Sequence, residues 1–227
     1  MDPNRTQWNK TLKDLRLALK KPVQLELSIA LFLELHAPLH DRAVSGTDGW
    51  NLEEEVWAGL TEAQFRHIPA GMEHSTAWCT WHIARIEDIT MNLLVAGTDQ
   101  VYSHDNWKQR LHAPFDDTGN MITPENVLAL SKSVAFEDLR AYRSAVGLRT
   151  REIVSALTAE DMLRKTPPER LQRGIDEGAI SLNAPGVVEY WGSLTVAGLL
   201  MMPPMRHAYI HLNECLKIKK KVTKECN

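Results

Sequence analysis

The chain has 227 residues, 44% of them hydrophobic, with 24% charged and a formal net charge of −3. That length and apolar fraction support a sizeable core, which excludes disorder for the chain as a whole. The near-neutral charge gives no electrostatic bias toward nucleic acid or an anionic membrane, so neither is expected as a partner.

Residues 1–21 are polar and mixed in charge and read as an N-terminal extension. They lack the apolar core of a secretory signal, and a cytoplasmic location is expected. From Pro22 to about Ala43, Leu25, Ile29, Phe32, Leu33 and Leu39 recur at helical spacing, with Pro22 in a first turn and Pro38 late enough to shorten the run. Gly46 to Gly49 forms a loop, followed by short helices at 52–59 and 61–67, the second opened by Thr61 as N-cap. After the break at Pro69-Ala70-Gly71, a second main helix starts near Ser75 and closes at Gly97, with Trp78, His82, Ile86, Ile89 and Leu93 on one face.

Residues 98–135 read as an extended connector, with a short helix around 106–111 and a better one beginning at Thr123-Pro124-Glu125. A third main helix is predicted over 136–157, with a short helix after Thr158. Residues 167–186 read as a further connector with at most a turn or two of helix. The last main helix is placed from Pro203-Pro204 to about Val222. Strand patterning is absent. These elements predict an all-α chain, an antiparallel four-helix bundle with short additional helices, in one domain over residues 1–227.

The nine histidines carry the chemistry of the chain. His207 and His211 are four apart, so both imidazoles lie on one side of the last helix, one turn above the other, and read equally as sharing a cation or as a partly exposed pair near a helix start. His82 lies on an apolar stripe of the second helix and, taken alone, reads as a hydrogen-bonded core histidine, with a role as third ligand the alternative that the pair adds weight to. A second pair, His36 and His40, stands at the end of the first helix beside Pro38 and Asp41, where exposure to solvent at the mouth of the same cavity is expected. His74 stands in the connector before the second main helix, near enough to approach the site. Glu87 and Asp88 are rotated away from the face of His82, whereas Glu214 can reach the pair and orient it. Cys79 and Cys215 fall near these histidines and are read as compact apolar fillers, with thiolate ligation the less favoured role. Three cysteines in a chain of this length, Cys226 included, do not make a disulfide framework, and reduced thiols are expected. The basic run from Lys217 to Lys221 with Lys224 complements a helix C-terminus.

The segment from Ser75 to Asp88, with its Trp81-His82-Ile83-Ala84 string followed by Glu87-Asp88, together with the distal His207-x-x-x-His211, resembles the DinB/YfiT-like superfamily. The resemblance covers about residues 22–222. It implies a four-helix bundle, commonly a homodimer, with a divalent metal held by His82, His207 and His211. Zinc, nickel and iron all suit such a nitrogen-rich set. Relatives act on small molecules as thiol transferases or isomerases with bacillithiol, mycothiol or glutathione. The resemblance therefore implies a metal-dependent enzyme of the S-transferase type with a low-molecular-weight thiol as cosubstrate. A metal-dependent hydrolase and a non-catalytic helical module for binding or dimerisation are the alternatives, and the residues alone do not separate them.

Overall fold

A computed structural model describes residues 2–225, leaving Cys226 outside. Helices make up the regular structure of the described residues, with one isolated bridge between Lys165 and Thr195 and no strand among them. Five principal helices are α1 (Pro3–Ala18), α2 (Leu25–His36), α3 (Thr76–Asp88), α4 (Phe136–Ser155) and α5 (Ala208–Glu225).

The first of these corrects the reading of residues 1–21 as an extension. Asp2 caps α1 by accepting from the Asn4 amide, and Pro3 occupies the first turn, where its missing N–H costs nothing. Trp8, Leu12, Leu15 and Ala18 form a buried stripe at helical spacing that docks α1 along α2. The Trp8 indole N–H donates to the Leu35 carbonyl at 3.0 Å, and its ring stacks on Tyr209 of α5 at 4.0 Å.

Helix α3 is the central element. Ser75 caps it by accepting from the Trp78 amide, and all 13 of its residues are buried. Helices α4 and α5 pack on it from two sides, and α2 lies against α4 and against the turn leading into α5. The single apolar face read from the sequence is therefore only one of several buried faces. The helix continues as a π-helical segment, Ile89–Ala96, and ends at Gly97, whose φ of 74° is the left-handed conformation of a helix stop.

The last helix also starts earlier than expected. Thr195 caps a helix at Val196–Met201, which passes through a π-helical turn, Met202–His207, directly into α5. Pro203 and Pro204 supply no amide hydrogens, so the regular bonding register cannot pass through them. Leu199 and Leu200 before the prolines and Met205 and Ala208 after them are all buried, which holds both arms in the core. The helix widens at the prolines and continues. The connector at 167–186 likewise holds a nine-residue helix, Pro168–Asp176.

Burying α3 on all sides forces its charged residues to find partners. Arg85 donates to the Asp116 carbonyl, Gln100 and Tyr142, and lies 3.3 Å from Asp88. Asp88 accepts from the Val101 and Tyr102 amides, from Asn92 and from the Tyr142 hydroxyl. Removing the Asp88 carboxylate strands Arg85 and two backbone amides in the interior. Asp88→Ala is expected to cost about 3–5 kcal/mol in urea unfolding, and Tyr142→Phe, which removes one hydroxyl, about 1 kcal/mol.

Candidate metal centre

The three histidines singled out in the sequence meet between α3 and the start of α5. One ring nitrogen from each of His82, His207 and His211 lies within 4.8 Å of the other two. The Nε2 atoms of His82 and His207 face each other at 3.1 Å.

The hydrogen bonds behind the rings decide which nitrogens are free. A carbonyl can only accept, so the 2.6 Å contact between His82 Nδ1 and the Thr118 oxygen places the proton on Nδ1 and leaves the Nε2 lone pair aimed at the cluster. His211 Nδ1 lies 2.8 Å from Glu214 Oε2, and His74 Nδ1 lies 2.9 Å from the other oxygen of the same carboxylate. Glu214 thus orients His211 so that its Nε2 is the nitrogen left for a ligand role. His74 stacks on Trp78 at 3.7 Å, and Trp78 stacks on His82 at 4.5 Å, so a column of three rings braces His82 from the N-terminal side.

Burial, with the nearby His211, lowers the pKa of His82 to about 3, and burial beside His82 drives that of His207 well below its usual value. Burial opposes ionisation of Glu214, yet the hydrogen bonds from His211 and His74 hold its carboxyl far below the ordinary range. His82 and His207 are therefore held neutral and a carboxylate stands behind His211, an arrangement that suits metal ligation. His207 Nδ1 is buried without a hydrogen-bond partner. Three converging imidazole nitrogens fit a divalent cation by donor chemistry.

Cys79 and Cys215 are buried and free, and burial next to Cys215 pushes the Cys79 thiol well above its usual value. Cys79 groups with His74 and Glu214 behind the three histidines. The Thr118 carbonyl had no signature in the sequence. It belongs to the 98–135 connector, where three successive carbonyls receive hydrogen bonds from α3: Asp116 from Arg85, Asp117 from Trp81 and Thr118 from His82.

His36 and His40 do not lie at an exposed helix end. Both are fully buried. Pro38 ends α2 through a short 3-10 turn, Ala37–Leu39, which folds the chain back under α4. A Cβ at Gly147 would come within 2.5 Å of the His40 ring, so the glycine is what admits the imidazole. Both histidines bond through Nε2 to Glu87, at 2.9 Å and 3.1 Å, and Arg143 lies 3.9 Å from the same carboxylate while pairing with buried Glu53. Glu87 faces away from His82, as its position on the helix requires, and organises a separate buried cluster.

The sequence profile of the DinB superfamily matches residues 47–200, more than half of the chain. The chain belongs to the DinB superfamily. The matched DinB segment contains His82 and stops short of His207 and His211, which the fold brings to it. A crystal structure described as a conserved protein of locus from Enterococcus faecalis is similar in fold, with a TM-score of 0.60 at 18% identity, covering 84% of this chain and 96% of that one. No curated protein matches the sequence. Among the described residues, no helix is long and apolar enough to cross a membrane.

The Glu87 cluster makes this DinB chain sensitive to acid. Burial lowers the pKa of His40 from 6.5 to about 3. The unfolded chain thus binds a proton that the fold rejects, and the stabilisation is full above about pH 6.5 and declines as the pH falls toward 3. Glu87 is held well below its usual value by His40 and His36 against the effect of burial, and adds to the loss in the same direction. Urea titrations across this range are expected to show stability falling with acidification. His40→Gln is expected to flatten the slope by up to about 1.4 kcal/mol per pH unit.

Proposed function

We propose that the chain is a divalent-metal-dependent enzyme whose metal is held by His82, His207 and His211. The observation that carries this reading is the convergence of three imidazole nitrogens whose outer nitrogens are tied to Thr118 and Glu214 or buried without a partner. Family membership supports it, since the resemblance to DinB proteins implies a metal on the same three residues.

A divalent ion held by these three residues would supply Lewis acidity that lowers the pKa of a thiol or water toward neutral pH. The residues of the chain hold and orient that centre. Thr118 and Glu214 fix the rings of His82 and His211, and burial keeps His82 and His207 unprotonated and able to donate lone pairs. Glu214 stays ionised behind His211 and raises the basicity of that imidazole. Transfer of a low-molecular-weight thiol to a small electrophile is the proposed reaction. Zinc, nickel or iron suits the three-nitrogen set.

Protein prepared without a polyhistidine tag is expected to carry about one metal ion per chain by elemental analysis. His207→Ala or His82→Ala is expected to lose it, and Glu214→Gln to weaken metal affinity by about 10–100-fold. His36→Ala, which alters only the separate cluster, is expected to keep the metal. Thiol consumption against a panel of small electrophiles is expected only in the metal-loaded protein. Turnover without thiol would point instead to hydrolysis, and a folded protein with no bound metal would reject the enzyme reading in favour of a non-catalytic module.

A further inference from the structure

On the His207 side of the three-histidine cluster lies a cavity of about 280 Å³, at the small end of ligand-binding pockets. Ile86, Val187, Trp191, Met202 and Pro203 make most of its wall, and His207 forms the part that joins it to the candidate centre. No Asp, Glu, Lys or Arg is among its lining residues. Asn120 and Tyr190 are the uncharged polar side chains in the wall besides His207, and the Asn120 amide nitrogen donates to Thr118 Oγ1 at 2.8 Å. That bond uses one of its two amide hydrogens, so Asn120 still offers its carbonyl oxygen as an acceptor and its second N–H as a donor. The same turn presents the Thr118 carbonyl to His82, so a single loop shapes both the cavity and the centre.

From this lining we infer that the cavity receives a small, uncharged and largely apolar molecule, an aromatic ring or short alkyl chain with one hydrogen-bonding group for Asn120. The inference rests on the metal-dependent reading for the role of that molecule as the substrate beside His207. A carboxylate or ammonium moved into this cavity would lose water and find no charged side chain in the wall to pair with, a cost that apolar contacts of this area do not offset. A carboxylated thiol such as glutathione therefore does not suit the cavity, and the compound that occupies it is the other reactant. Its walls come from four separate parts of the chain: α3, the turn that carries Asn120, the helix Pro185–Ser193 and the π-helical turn at Met202–His207. The departure from regular helix at Pro203 thus contributes both to the apolar wall and to the position of His207.

The test uses three fluorinated probes of matched size on the metal-loaded protein, read by fluorine NMR: para-fluorobenzyl alcohol, para-fluorobenzylammonium and para-fluorobenzenesulfonate. The neutral alcohol is expected to bind more tightly than either ion by about tenfold or more. Val187→Trp, which fills the cavity, is expected to lose that binding with metal content unchanged. Met202→Lys, which adds a cation to the wall at nearly constant side-chain length, is expected to gain sulfonate binding by about tenfold, and it carries the test if the tryptophan variant does not fold. Equal binding of all three probes by the parent protein, or alcohol binding indifferent to both substitutions, overturns the inference. Alcohol binding that persists in a protein unable to hold metal leaves the cavity assignment standing and removes the enzyme reading. Bound metal with no preference among the probes does the reverse.

Discussion

The structure depends on one constraint: α3 is buried on every side while carrying Arg85, Glu87 and Asp88. Each of these charges must be met inside the protein, because an unpaired buried charge costs several kcal/mol (on the order of 3–5). The partners come from different directions. Tyr142 and Arg143 come from α4, the Asp116 carbonyl and the amides of Val101 and Tyr102 from the connector, and His36 and His40 from the end of α2. The packing of several elements around one helix is thus specified by polar pairing as well as by apolar contact. His82 is placed by the same arrangement, since its carbonyl partner lies in the stretch of connector that also receives Trp81 and Arg85.

The two histidine clusters show how helical phase separates roles along one helix. His82 and Glu87 are five residues apart, which turns them toward different neighbours. His82 meets His207 and His211, whose outer partners leave lone pairs converging. Glu87 meets two imidazoles that both bond to it through Nε2, with Arg143 nearby, a set in which the carboxylate is already satisfied. The donor sets look alike in a list of residue types, but their hydrogen bonds differ. The first turns ring nitrogens toward one another beside a cavity, whereas the second turns two Nε2 atoms onto one carboxylate and leaves the Nδ1 atoms of His36 and His40 buried without partners.

Much of the helix order could be read in the sequence because its signals are local. Ser75, Thr123 and Thr158 mark helix starts through side-chain hydrogen bonds to amides two or three residues on, and Gly97 marks a stop through its positive φ. The failures have physical causes. The helix at Pro3–Ala18 has a modest apolar stripe within a polar background, and only the groove along α2 makes that stripe worth burying. The Pro203-Pro204 pair resembles a helix start, but buried residues on both sides hold the chain helical through it. His36 and His40 look like a polar helix end until Gly147 of α4 provides the space that takes them inside.

By itself, the sequence determined an all-helical chain with a pair of histidines one turn apart and a third on another helix, and enough local pattern to resemble the DinB superfamily. Those features depend on neighbours within a few positions. Only the tertiary structure decided that His82 meets His207 across 125 positions of chain, that Thr118 and Glu214 fix the ring nitrogens, and that an uncharged cavity opens beside them. The reason is that a buried imidazole acquires its protonation state from whatever is packed against it. Which groups those are depends on how α3, α5 and the connector come together, and no spacing along the chain encodes that.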